Sequence, residues 1–373
     1  MKIIHIHPHY WPAVGGQENV VKALAEGMVK LGHEVHVIAS TYGAEGRPRE
    51  EEINGVQVHR VKSIRIVYAD LTYPLYIPNA ILKDADVVHG HTQNSLFVLK
   101  LVKEAKKYGP KTAMDFMAID TFNQHPNPLI RLVGPYYGKY TLTNALKVSD
   151  IKLVRAIRDG RLLKTKYGVD AYFLPDGIDE ELITAPNYAE LFKSQYHIDA
   201  PFVLFLGRLD KLKGIDILIK AMSLVREEAP ELKAVIAGPG DQRPYRTLAE
   251  KLGVKNNIVF TGPLQGNIKI GAIDASLAMA LPSLRETFPL VIMEAWAREK
   301  PVITTPVGDI PYRVKHGENG ILIPPRNPKA LADAIILLLQ DENLHKKLGV
   351  SGKKQVRTWN EIIIELTKIY KGN

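Results

Sequence analysis

Residues 202–222 read FVLFLGRLDKLKGIDILIKAM, and this stretch decides the fold. Its first five residues form an uninterrupted apolar run, which is typical of a strand buried on both faces of a parallel sheet. A turn containing Gly207 follows, and the apolar side chains after it recur with the i, i+3, i+4, i+7 spacing of one helix face. Those side chains are Ile215, Leu218, Ile219 and Met222. A buried strand followed at once by an amphipathic helix is the repeating unit of doubly wound α/β sheets.

The same alternation extends through the whole chain. In the second half the predicted strands are Phe202–Leu206, Ala234–Ala237, Ile258–Thr261, Leu277–Ala280, Val302–Thr304 and Ile321–Ile323. In the first half they are Lys2–His7, Val35–Ala39, Val56–Val61, Val87–His91 and Thr112–Phe116. Amphipathic segments lie between several of these strands, and Glu18–Leu31 is the clearest of them. We therefore expect an α/β protein with two doubly wound sheets, whose ligands bind beyond the carboxyl ends of the strands.

Length and local composition predict the domain organisation. A chain of 373 residues is too long for one ordinary core and fits two domains. The stretch FLPDGI, residues 173–178, looks like a strand that ends in a Pro-Asp-Gly turn. We predict a first domain over residues 1–178, a polar, irregular linker over 179–200, a second domain over 201–357 and a C-terminal helical segment over 358–373.

Composition excludes several classes of chemistry. The chain contains no cysteine, so disulfides, thiolate metal sites and cysteine nucleophiles are excluded, and a reducing, cytoplasmic compartment is expected. The opening residues MKIIHIHPHYWP alternate apolar residues with histidine, which predicts a strand rather than a signal peptide. No later stretch approaches the ~20 apolar residues of a membrane-spanning helix.

The net charge of +9 is concentrated in the first half of the chain. Residues 1–175 carry 23 Lys and Arg against 16 Asp and Glu, mostly between Lys100 and Lys111 and between Lys139 and Lys166. Solvated helix faces are the simplest interpretation, and a phosphorylated ligand or an anionic membrane is the alternative. Nucleic acid is not expected, because no aromatic-rich or zinc-finger signature accompanies the charge.

Two glycine-containing turns at strand ends predict contacts with phosphate. Gly15 and Gly16 lie between the first strand and the first helix, where the backbone can approach a phosphate and the helix start supplies N–H groups. A plain turn is the alternative there. After the strand at 202–206, Gly207 is followed by Arg208 and Lys213, whose charges would stabilise a diphosphate leaving group. Isolated cations in loops are ordinarily surface charges, so this prediction depends on the position of the two residues at the end of a strand.

A third motif, PSLRETFPLVIMEA, spans residues 282–295 and joins a strand to a helix. Pro289 suits the first turn of a helix, and the free amides of Leu290 and Val291 would then point at an anion. Glu286 lies in the loop and Glu294 within the helix, so the two carboxylates reach different parts of a ligand.

Three weaker signals are interpreted mainly as structural. The Asp-Ala-Asp of residues 84–86 resembles a metal-binding motif, but it precedes a buried strand, so a polar turn is favoured. Gly238 lies in a glycine-rich strand end that either faces a ligand or makes a simple turn. His5, His7 and His9 alternate along one strand without a carboxylate nearby, so no metal site is predicted.

Seven segments, taken in their order, resemble the retaining glycosyltransferases of the GT-B fold, family 4. They are GGQE (15–18), PDGID (175–179), FLGRLDKLKG (205–214), AGPGD (237–241), FTGPL (260–264), PSLRETFPLVIMEAWA (282–297) and PVITTPVGDIPYRVKHGENGILIPPRNP (301–328). Each is weak alone, but the ordered set is specific and covers nearly the whole chain. The resemblance implies two doubly wound, Rossmann-like domains facing across a cleft, with the last helix crossing back to the first domain.

The resemblance also implies roles for individual residues. Arg208 and Lys213 match the family's cations on the donor diphosphate, and Gly16 matches the glycine that closes on it from the first domain. Glu286 matches the glutamate that contacts the donor sugar, and Glu294 matches the one that holds the ribose hydroxyls. The donor-binding set implied is Gly15, Gly16, Gly207, Arg208, Lys213, Gly238, Leu264, Thr287, Phe288, Pro289, Leu290, Val291 and Glu294.

The activity implied is transfer of a hexose from a UDP- or GDP-sugar, with retention and without a metal or other cofactor. In that route the leaving phosphate helps to take the proton of the acceptor. The acceptor is expected to be a sugar or lipid-linked hydroxyl, and the protein is expected in the cytoplasm, with peripheral contact at the inner face of an anionic membrane.

The first half departs from the family pattern. Asp115 stands where the family usually has a histidine that touches the donor sugar, and His91 and His125 are candidates to replace it. Asp176 stands in the hinge motif where asparagine is usual. A non-catalytic sugar-nucleotide-binding partner of another transferase, or a sugar-nucleotide epimerase on the same fold, therefore remains an alternative to an active transferase.

Overall fold

The computed structural model describes residues 1–13, 15–65, 71–124 and 127–372. The chain forms two compact units. Met1–Gly177 and Trp359–Asn373 make up the first, and Ile178–Thr358 make up the second. The change from one unit to the other falls in the Pro-Asp-Gly turn of residues 175–177, where the sequence predicts a break in regular structure.

The elements of the first unit alternate between strands and helices for most of its length. The strands are β1 (Lys2–Ile6), β2 (Glu34–Ser40), β3 (Glu50–Ile53), β4 (Val56–Val61), β5 (Ser63–Arg65), β6 (Thr72–Pro74), β7 (Val87–Gly90), β8 (Lys111–Phe116), β9 (Ile151–Val154) and β10 (Tyr172–Phe173). The helices are α1 (Gly16–Lys30), α2 (Asn79–Lys83), α3 (Leu96–Ala105), α4 (Pro128–Val148), α5 (Ile157–Tyr167) and, from the end of the chain, α15 (Trp359–Lys371).

The main sheet of the first unit has the strand order β10-β9-β8-β7-β1-β2-β4-β3. Its neighbouring strands are parallel except β3 and β4, and β5 pairs with β6 in a separate antiparallel ladder. Each strand predicted for this half is present, with its ends within one residue of the prediction. Strand β3 was not predicted because its sequence, EEEI, is polar, and it forms an edge that needs β4 as a partner.

Helix α15 packs into the core of the first unit. Its apolar side, which includes Ile362, Ile363 and Leu366, is buried with residues of α1 and the sheet. A Cβ atom on Gly27 of α1 would lie 2.1 Å from Cδ1 of Ile363, so the two helices are in close contact. The end of the chain is therefore a structural part of the first unit.

The second unit begins with two helices and continues as an alternating series. Its strands are β11 (Phe202–Leu206), β12 (Lys233–Ala237), β13 (Ile258–Gly262), β14 (Ala278–Leu281), β15 (Val302–Thr304) and β16 (Ile321–Leu322). Its helices are α6 (Glu181–Thr184), α7 (Ala189–Tyr196), α8 (Ile215–Glu228), α9 (Arg243–Lys251), α10 (Gly266–Ala275), α11 (Leu290–Ala297), α12 (Ile310–Arg313), α13 (Pro328–Gln340) and α14 (Glu342–Lys353).

The strands of the second unit are all parallel, in the order β13-β12-β11-β14-β15-β16. Every residue of β11 is buried, as the apolar run predicts for a strand covered by helices on both faces. Parallel strands place all their carboxyl ends at one edge of the sheet, so the loops that follow β11, β12, β14 and β15 gather there.

The linker predicted over residues 179–200 is wrong. This segment forms α6 and α7 and belongs to the second unit, because Leu182, Phe192 and Ile198 are buried in its core. The segment looks irregular in sequence because these few large apolar side chains stand among polar residues. Packing of those side chains against α10 and the sheet, rather than local propensity, makes them helical.

No helix in the described part of the chain combines the length and apolarity that crossing a bilayer requires.

Candidate active site

The loops after β11 and β12 are in backbone contact at the carboxyl edge of the second sheet. The amide of Gly207 donates a hydrogen bond to the carbonyl of Ala237 at 3.0 Å, and that of Leu209 donates to Pro239 at 2.8 Å. Gly238 has a φ of 147°, and a Cβ atom there would lie 1.8 Å from the carbonyl oxygen of Gly207. A glycine is therefore required at this position by the packing of the two loops, in addition to any ligand contact.

A charged pair joins the loop after β11 to the loop after β14. The ammonium of Lys213 lies 2.6 Å from Oε1 of Glu286, and the hydroxyl of Ser283 donates to the same oxygen at 2.9 Å. The amide of Leu284 donates to the carbonyl of Leu212 at 2.7 Å, which fixes the two loops together. Lys213 and Glu286 are thus adjacent, although they are far apart in sequence.

Arg208 and Lys213 differ in their surroundings. The side chain of Arg208 is exposed and takes part in no ion pair with any residue in the described ranges. The side chain of Lys213 is 26% exposed, and that of Glu286 is 9% exposed, so their pairing is partly shielded from water. Arg208 can therefore bind an incoming anion directly. Lys213 can bind an anion only if it shares its ammonium with Glu286 or leaves Glu286.

The segment after Glu286 leads into helix α11. Pro289 is the N-cap residue and the helix begins at Leu290, one residue later than the prediction of Pro289 within the first turn. The amides of Leu290 and Val291 are in the first turn, where no intrahelical carbonyl is available to them. Thr287 is exposed, and its carbonyl accepts a hydrogen bond from the amide of Asp309 at 2.8 Å, which connects the loop after β15 to the same place.

Glu294 has an unforeseen partner. Its Oε2 lies 2.6 Å from the ammonium of Lys269 on α10, an ion pair whose angles do not suit a hydrogen bond. The guanidinium of Arg313 lies 3.6 Å from the ring centroid of Phe288, and Leu264 packs against the core. Sequence reasoning missed Lys269, Ser283 and Arg313, because nothing in their local sequence signals the neighbours that the fold gives them.

The predicted phosphate turn of the first unit lies at the start of α1. Gly15 is the N-cap with extended backbone, and Gly16 is the first helical residue. A Cβ on Gly15 would collide with the carboxylate of Glu18 at 2.2 Å, whereas one on Gly16 would meet no atom within 4 Å. Packing therefore does not require glycine at position 16, which leaves close approach of a ligand as a reason for it. Val14 lies outside the described residues.

Asp115 and His91 lie in an internal network of charges rather than at a surface. Both side chains are 0% exposed. Asp115 Oδ2 accepts from His91 Nδ1 at 2.8 Å and from Arg155 Nη2 at 3.0 Å. Arg155 also donates to Asp176 at 3.1 Å, so the residue that replaces asparagine in the hinge motif belongs to this network.

Histidines and a tyrosine complete the network. His5 Nδ1 and His91 Nε2 share a hydrogen bond at 2.9 Å, and His89 Nδ1 shares one with the hydroxyl of Tyr370 on α15 at 2.7 Å. Burial lowers the pKa of His91 to about 3 and that of His5 well below its usual range. Burial opposes ionisation of Asp115, but Arg155 and the neighbouring histidines hold its pKa well below the usual range.

The geometry corrects the role predicted for Asp115 and His91. A group with no exposed surface cannot touch the donor sugar in this conformation, so the two residues act as parts of the scaffold that ends β7 and β8. The sequence could not show this, because the register that brings β1, β7 and β8 side by side also turns their polar side chains to one buried face. His125, the other candidate, lies outside the described residues.

Within the described ranges, the fully buried histidines of β1 and β7 and of the loop after β7 come nearest to the spacing of a metal site. One nitrogen from each of His5, His89 and His91 lies within 4.8 Å of the others. Both nitrogens of His91 are already hydrogen-bonded, however, and the charge of Asp115 is balanced by Arg155. A divalent cation would add to a buried guanidinium with too few carboxylates, so these residues fit a hydrogen-bond network better than a metal centre.

A cavity opens in the first unit beyond the ends of β7 and β8. Polar groups from the two following loops line it, among them Asn94, Asp120 and Asn123, and α4 closes it with Lys139 and Leu142. Three non-glycine residues of these loops, Thr92, Ala118 and Asp120, have positive φ angles of 83°, 51° and 60°. Strained backbone of this kind clusters at functional sites, so this cavity is a candidate ligand site of the first unit.

Family comparisons agree with the order of motifs. Residues 14–182 match the family described as Glycosyltransferase Family 4, and residues 189–355 match Glycosyl transferases group 1. Among individual relatives, an uncharacterized glycosyltransferase of Methanocaldococcus jannaschii, MJ1607, is 29% identical over 100% of this chain and 98% of its own. The phosphatidyl-myo-inositol mannosyltransferase of Mycobacterium leprae is 26% identical over 100% of this chain and 96% of its own.

Other relatives match over part of the chain, and solved structures match over all of it. The D-inositol 3-phosphate glycosyltransferase of Corynebacterium glutamicum is 34% identical over 52% of this chain and 50% of its own. Sucrose-phosphate synthase from Thermosynechococcus elongatus has a TM-score of 0.79 at 20% identity, with 100% and 98% coverage. Anabaena Alr3699/HepE in complex with UDP has a TM-score of 0.78 at 18% identity, with both chains fully covered. At these identities the structures show the shared GT-B fold.

Proposed function

The chain belongs to the glycosyltransferases of group 1 and family 4, and from that premise we propose that it transfers a hexose from a UDP- or GDP-sugar to a hydroxyl acceptor. The observation that carries this proposal is the pairing of Lys213 with Glu286 beside exposed Arg208 and the start of α11. These groups supply positive charge, a carboxylate and free amides at one edge of one sheet. A sugar diphosphate needs that combination.

The donor diphosphate would compete with Glu286 for Lys213. Phosphate oxygens carry more charge than one carboxylate, and Arg208, which forms no ion pair with the described residues, can pair with them from the start. Once Lys213 turns to the phosphate, Glu286 can accept hydrogen bonds from the hydroxyls of the sugar. We propose a similar exchange for Glu294. Its carboxylate would leave Lys269 and accept hydrogen bonds from the ribose hydroxyls.

The proposed reaction breaks the bond between the anomeric carbon and the diphosphate oxygen. The electron pair of that bond stays on the oxygen, where Arg208, Lys213 and the amides of Leu290 and Val291 stabilise it. The acceptor oxygen attacks the same face of the sugar, so the configuration is retained, and its proton passes to the departing phosphate oxygen. Because these groups supply the stabilising charge, we propose that the transfer needs no divalent metal.

A hydroxyl acceptor is supported by the names of two relatives and by the cavity in the first unit. The relatives are named as a D-inositol 3-phosphate glycosyltransferase and a phosphatidyl-myo-inositol mannosyltransferase. The cavity offers amide and carboxylate side chains that suit a polyol. We therefore propose a sugar-like or lipid-linked hydroxyl compound as acceptor. The proposal also includes a GDP-sugar as the alternative donor and peripheral contact of the protein with an anionic membrane.

Incubation with a panel of UDP- and GDP-sugars, with and without EDTA, tests the proposal. Release of the nucleoside diphosphate together with a glycosylated product, in the donor's anomeric configuration by NMR and unaffected by EDTA, is the expected result. Binding without turnover would favour a non-catalytic partner of another transferase. A changed sugar still attached to its nucleotide would favour an epimerase. Inhibition by EDTA that added magnesium reverses would contradict the metal-independent route.

A further inference from the structure

Exposed apolar side chains concentrate on helix α4 of the first unit. They are Leu129 (66% exposed), Leu132 (68%), Val133 (52%), Tyr136 (77%) and Tyr140 (59%). At 3.6 residues per turn, these positions fall within about 100° of the helix circumference. They therefore form one continuous stripe, which we call the α4 stripe, along three turns of the helix.

The opposite side of α4 is packed, which fixes the direction of the stripe. Thr141, Leu142 and Ala145 are buried against the rest of the first unit. A Cβ atom on Gly134 would lie 2.8 Å from Phe122, so the helix is in close contact there and has no room to rotate its stripe inward. The stripe is thus an outward apolar surface of a folded unit, and soluble surfaces rarely carry such a continuous one without a partner.

The charged residues of helix α4 itself are all basic. No Asp or Glu occurs between residues 121 and 149, whereas α4 carries Arg131, Lys139 and Lys147, all exposed. Lys139 lies at the edge of the stripe, and Lys147 continues its line toward the C-terminal end of the helix. A helix with leucine, valine and tyrosine on one face and lysines at the edge and end of that face has the composition of a segment that lies in a membrane interface.

We propose that the α4 stripe lies on an anionic lipid bilayer, with its apolar side chains in the boundary between headgroups and acyl chains. A second copy of this chain would place basic residues opposite basic residues, which disfavours a dimer through the same face. An anionic bilayer instead offers both the apolar layer that the stripe needs and the negative charge that its flanking cations need.

The proposal also places the cavity of the first unit relative to the membrane. Lys139 and Leu142 of α4 line that cavity, so a helix resting on the bilayer would hold the cavity at the membrane surface. This consequence rests on the proposed function, since it makes the acceptor a lipid-linked hydroxyl rather than a free one. The binding of α4 to lipid does not depend on it.

Cosedimentation of the full chain with vesicles tests the lipid contact. Vesicles of phosphatidylcholine alone are compared with vesicles that also contain phosphatidylglycerol, at low and high salt. We expect binding that requires phosphatidylglycerol and weakens with salt. The double variant Leu132→Ser/Tyr136→Ser should bind at least about tenfold more weakly, because two of the inserted side chains are lost.

The matched control carries the same change at exposed apolar positions of the second unit. The variant Leu224→Ser/Leu337→Ser replaces side chains that are also exposed, and it should bind as the parent does. Thermal unfolding without vesicles checks that both variants fold. Equal binding of the two double variants would overturn the proposal, as would a failure of the parent to bind anionic vesicles.

Two further outcomes distinguish the lipid contact from a dimer contact and from the proposed transferase activity. A dimer of the parent in sedimentation velocity that the Leu132→Ser/Tyr136→Ser change abolishes would assign the stripe to a second copy and overturn the lipid proposal. Donor turnover is measured separately, without vesicles. A parent that binds anionic vesicles but turns over no nucleotide sugar would defeat the proposed transferase activity while supporting the lipid contact.

Discussion

The Lys213–Glu286 pair of the second unit and the Arg155–Asp115 pair of the first unit are made of the same kinds of charge. Their nitrogen–oxygen distances are 2.6 and 3.0 Å. Their surroundings differ, because the first pair lies partly in water and the second is enclosed with three histidines. In a partly exposed pair, Lys213 can leave its carboxylate for a ligand, since water or the ligand can solvate the charges that separate. An enclosed pair cannot separate in this way, because a charge left alone there is not solvated.

The largest expected effect is on the enclosed pair. Replacing Arg155 by Met should lower the free energy of unfolding of the first unit by about 3–5 kcal/mol, because Asp115 is left buried without its cation. Denaturant unfolding, combined with hydrogen exchange of β8 and β9, measures this loss. The change Lys164→Met, which breaks an exposed pair with Asp170 in the same unit, should alter stability little.

Removing both charges sharpens the same comparison. The double variant Arg155→Met/Asp115→Leu should be more stable than Arg155→Met alone, since the fully buried carboxylate is removed together with its cation. If Arg155→Met cost no more than Lys164→Met, the enclosed pair would not be the structural element described above.

The two cations of the loop after β11, Arg208 and Lys213, should affect activity rather than stability. Replacing Arg208 or Lys213 by Ala should each reduce turnover by roughly 10²-fold, because each cation supports charge that develops on the leaving diphosphate. Steady-state turnover of the donor found in the nucleotide-sugar panel measures this. Lys211→Ala is the matched control, since Lys211 is an exposed lysine of the same loop, and its rate should stay near that of the parent. Near-normal rates for both Arg208→Ala and Lys213→Ala would remove the assignment of the diphosphate site.

The smallest expected effect is a dependence of the first unit's unfolding free energy on pH. The folded-state pKa of His91 is lowered to about 3, so the unfolded state binds protons first as pH falls below about 6.5. The stability contributed by neutral His91 is complete above that pH and is lost progressively toward pH 3. Between pH 6.5 and 5.5 the unfolding free energy should fall by about 1 kcal/mol for this residue.

Unfolding of the parent and of His91→Gln at pH 7.5, 6.5 and 5.5 checks this prediction. The variant should show a shallower decline, because glutamine does not titrate. Identical slopes for the two proteins would mean that His91 is not held neutral by its enclosure. His5, whose pKa is lowered for the same reason, should add to the slope of both proteins.

The fold was largely predictable, and the reason is visible in β11 and α8. A strand buried on both faces, such as β11, leaves an uninterrupted apolar run in the sequence. A helix buried on one face, such as α8, leaves apolar residues at intervals of three and four, so the two elements can be told apart. The segment 179–200 was not predictable in the same way. Its helices form because Phe192 and Ile198 find a core to enter, and that core is assembled from residues far along the chain.

The candidate site was predictable as a set of residues but not as a set of contacts. Position after a strand marked Arg208, Lys213, Glu286 and Glu294, because parallel strands end at one edge. Their partners came from other loops and helices: Ser283 and Lys213 on Glu286, and Lys269 on Glu294. Loop packing therefore pairs Lys213, and not Arg208, with a carboxylate among the described residues. The motif suggests that the two cations are equivalent, but their surroundings differ.

The sequence by itself determined the alternation of strands and helices, the order of the motifs and the family, because these depend on residue type and local spacing. Only the tertiary structure decided that Asp115 and His91 are enclosed and that α4 turns an apolar stripe outward. Exposure is the physical reason for the division. Whether a charged or apolar side chain meets water depends on what the rest of the chain places beside it, and no local pattern records that.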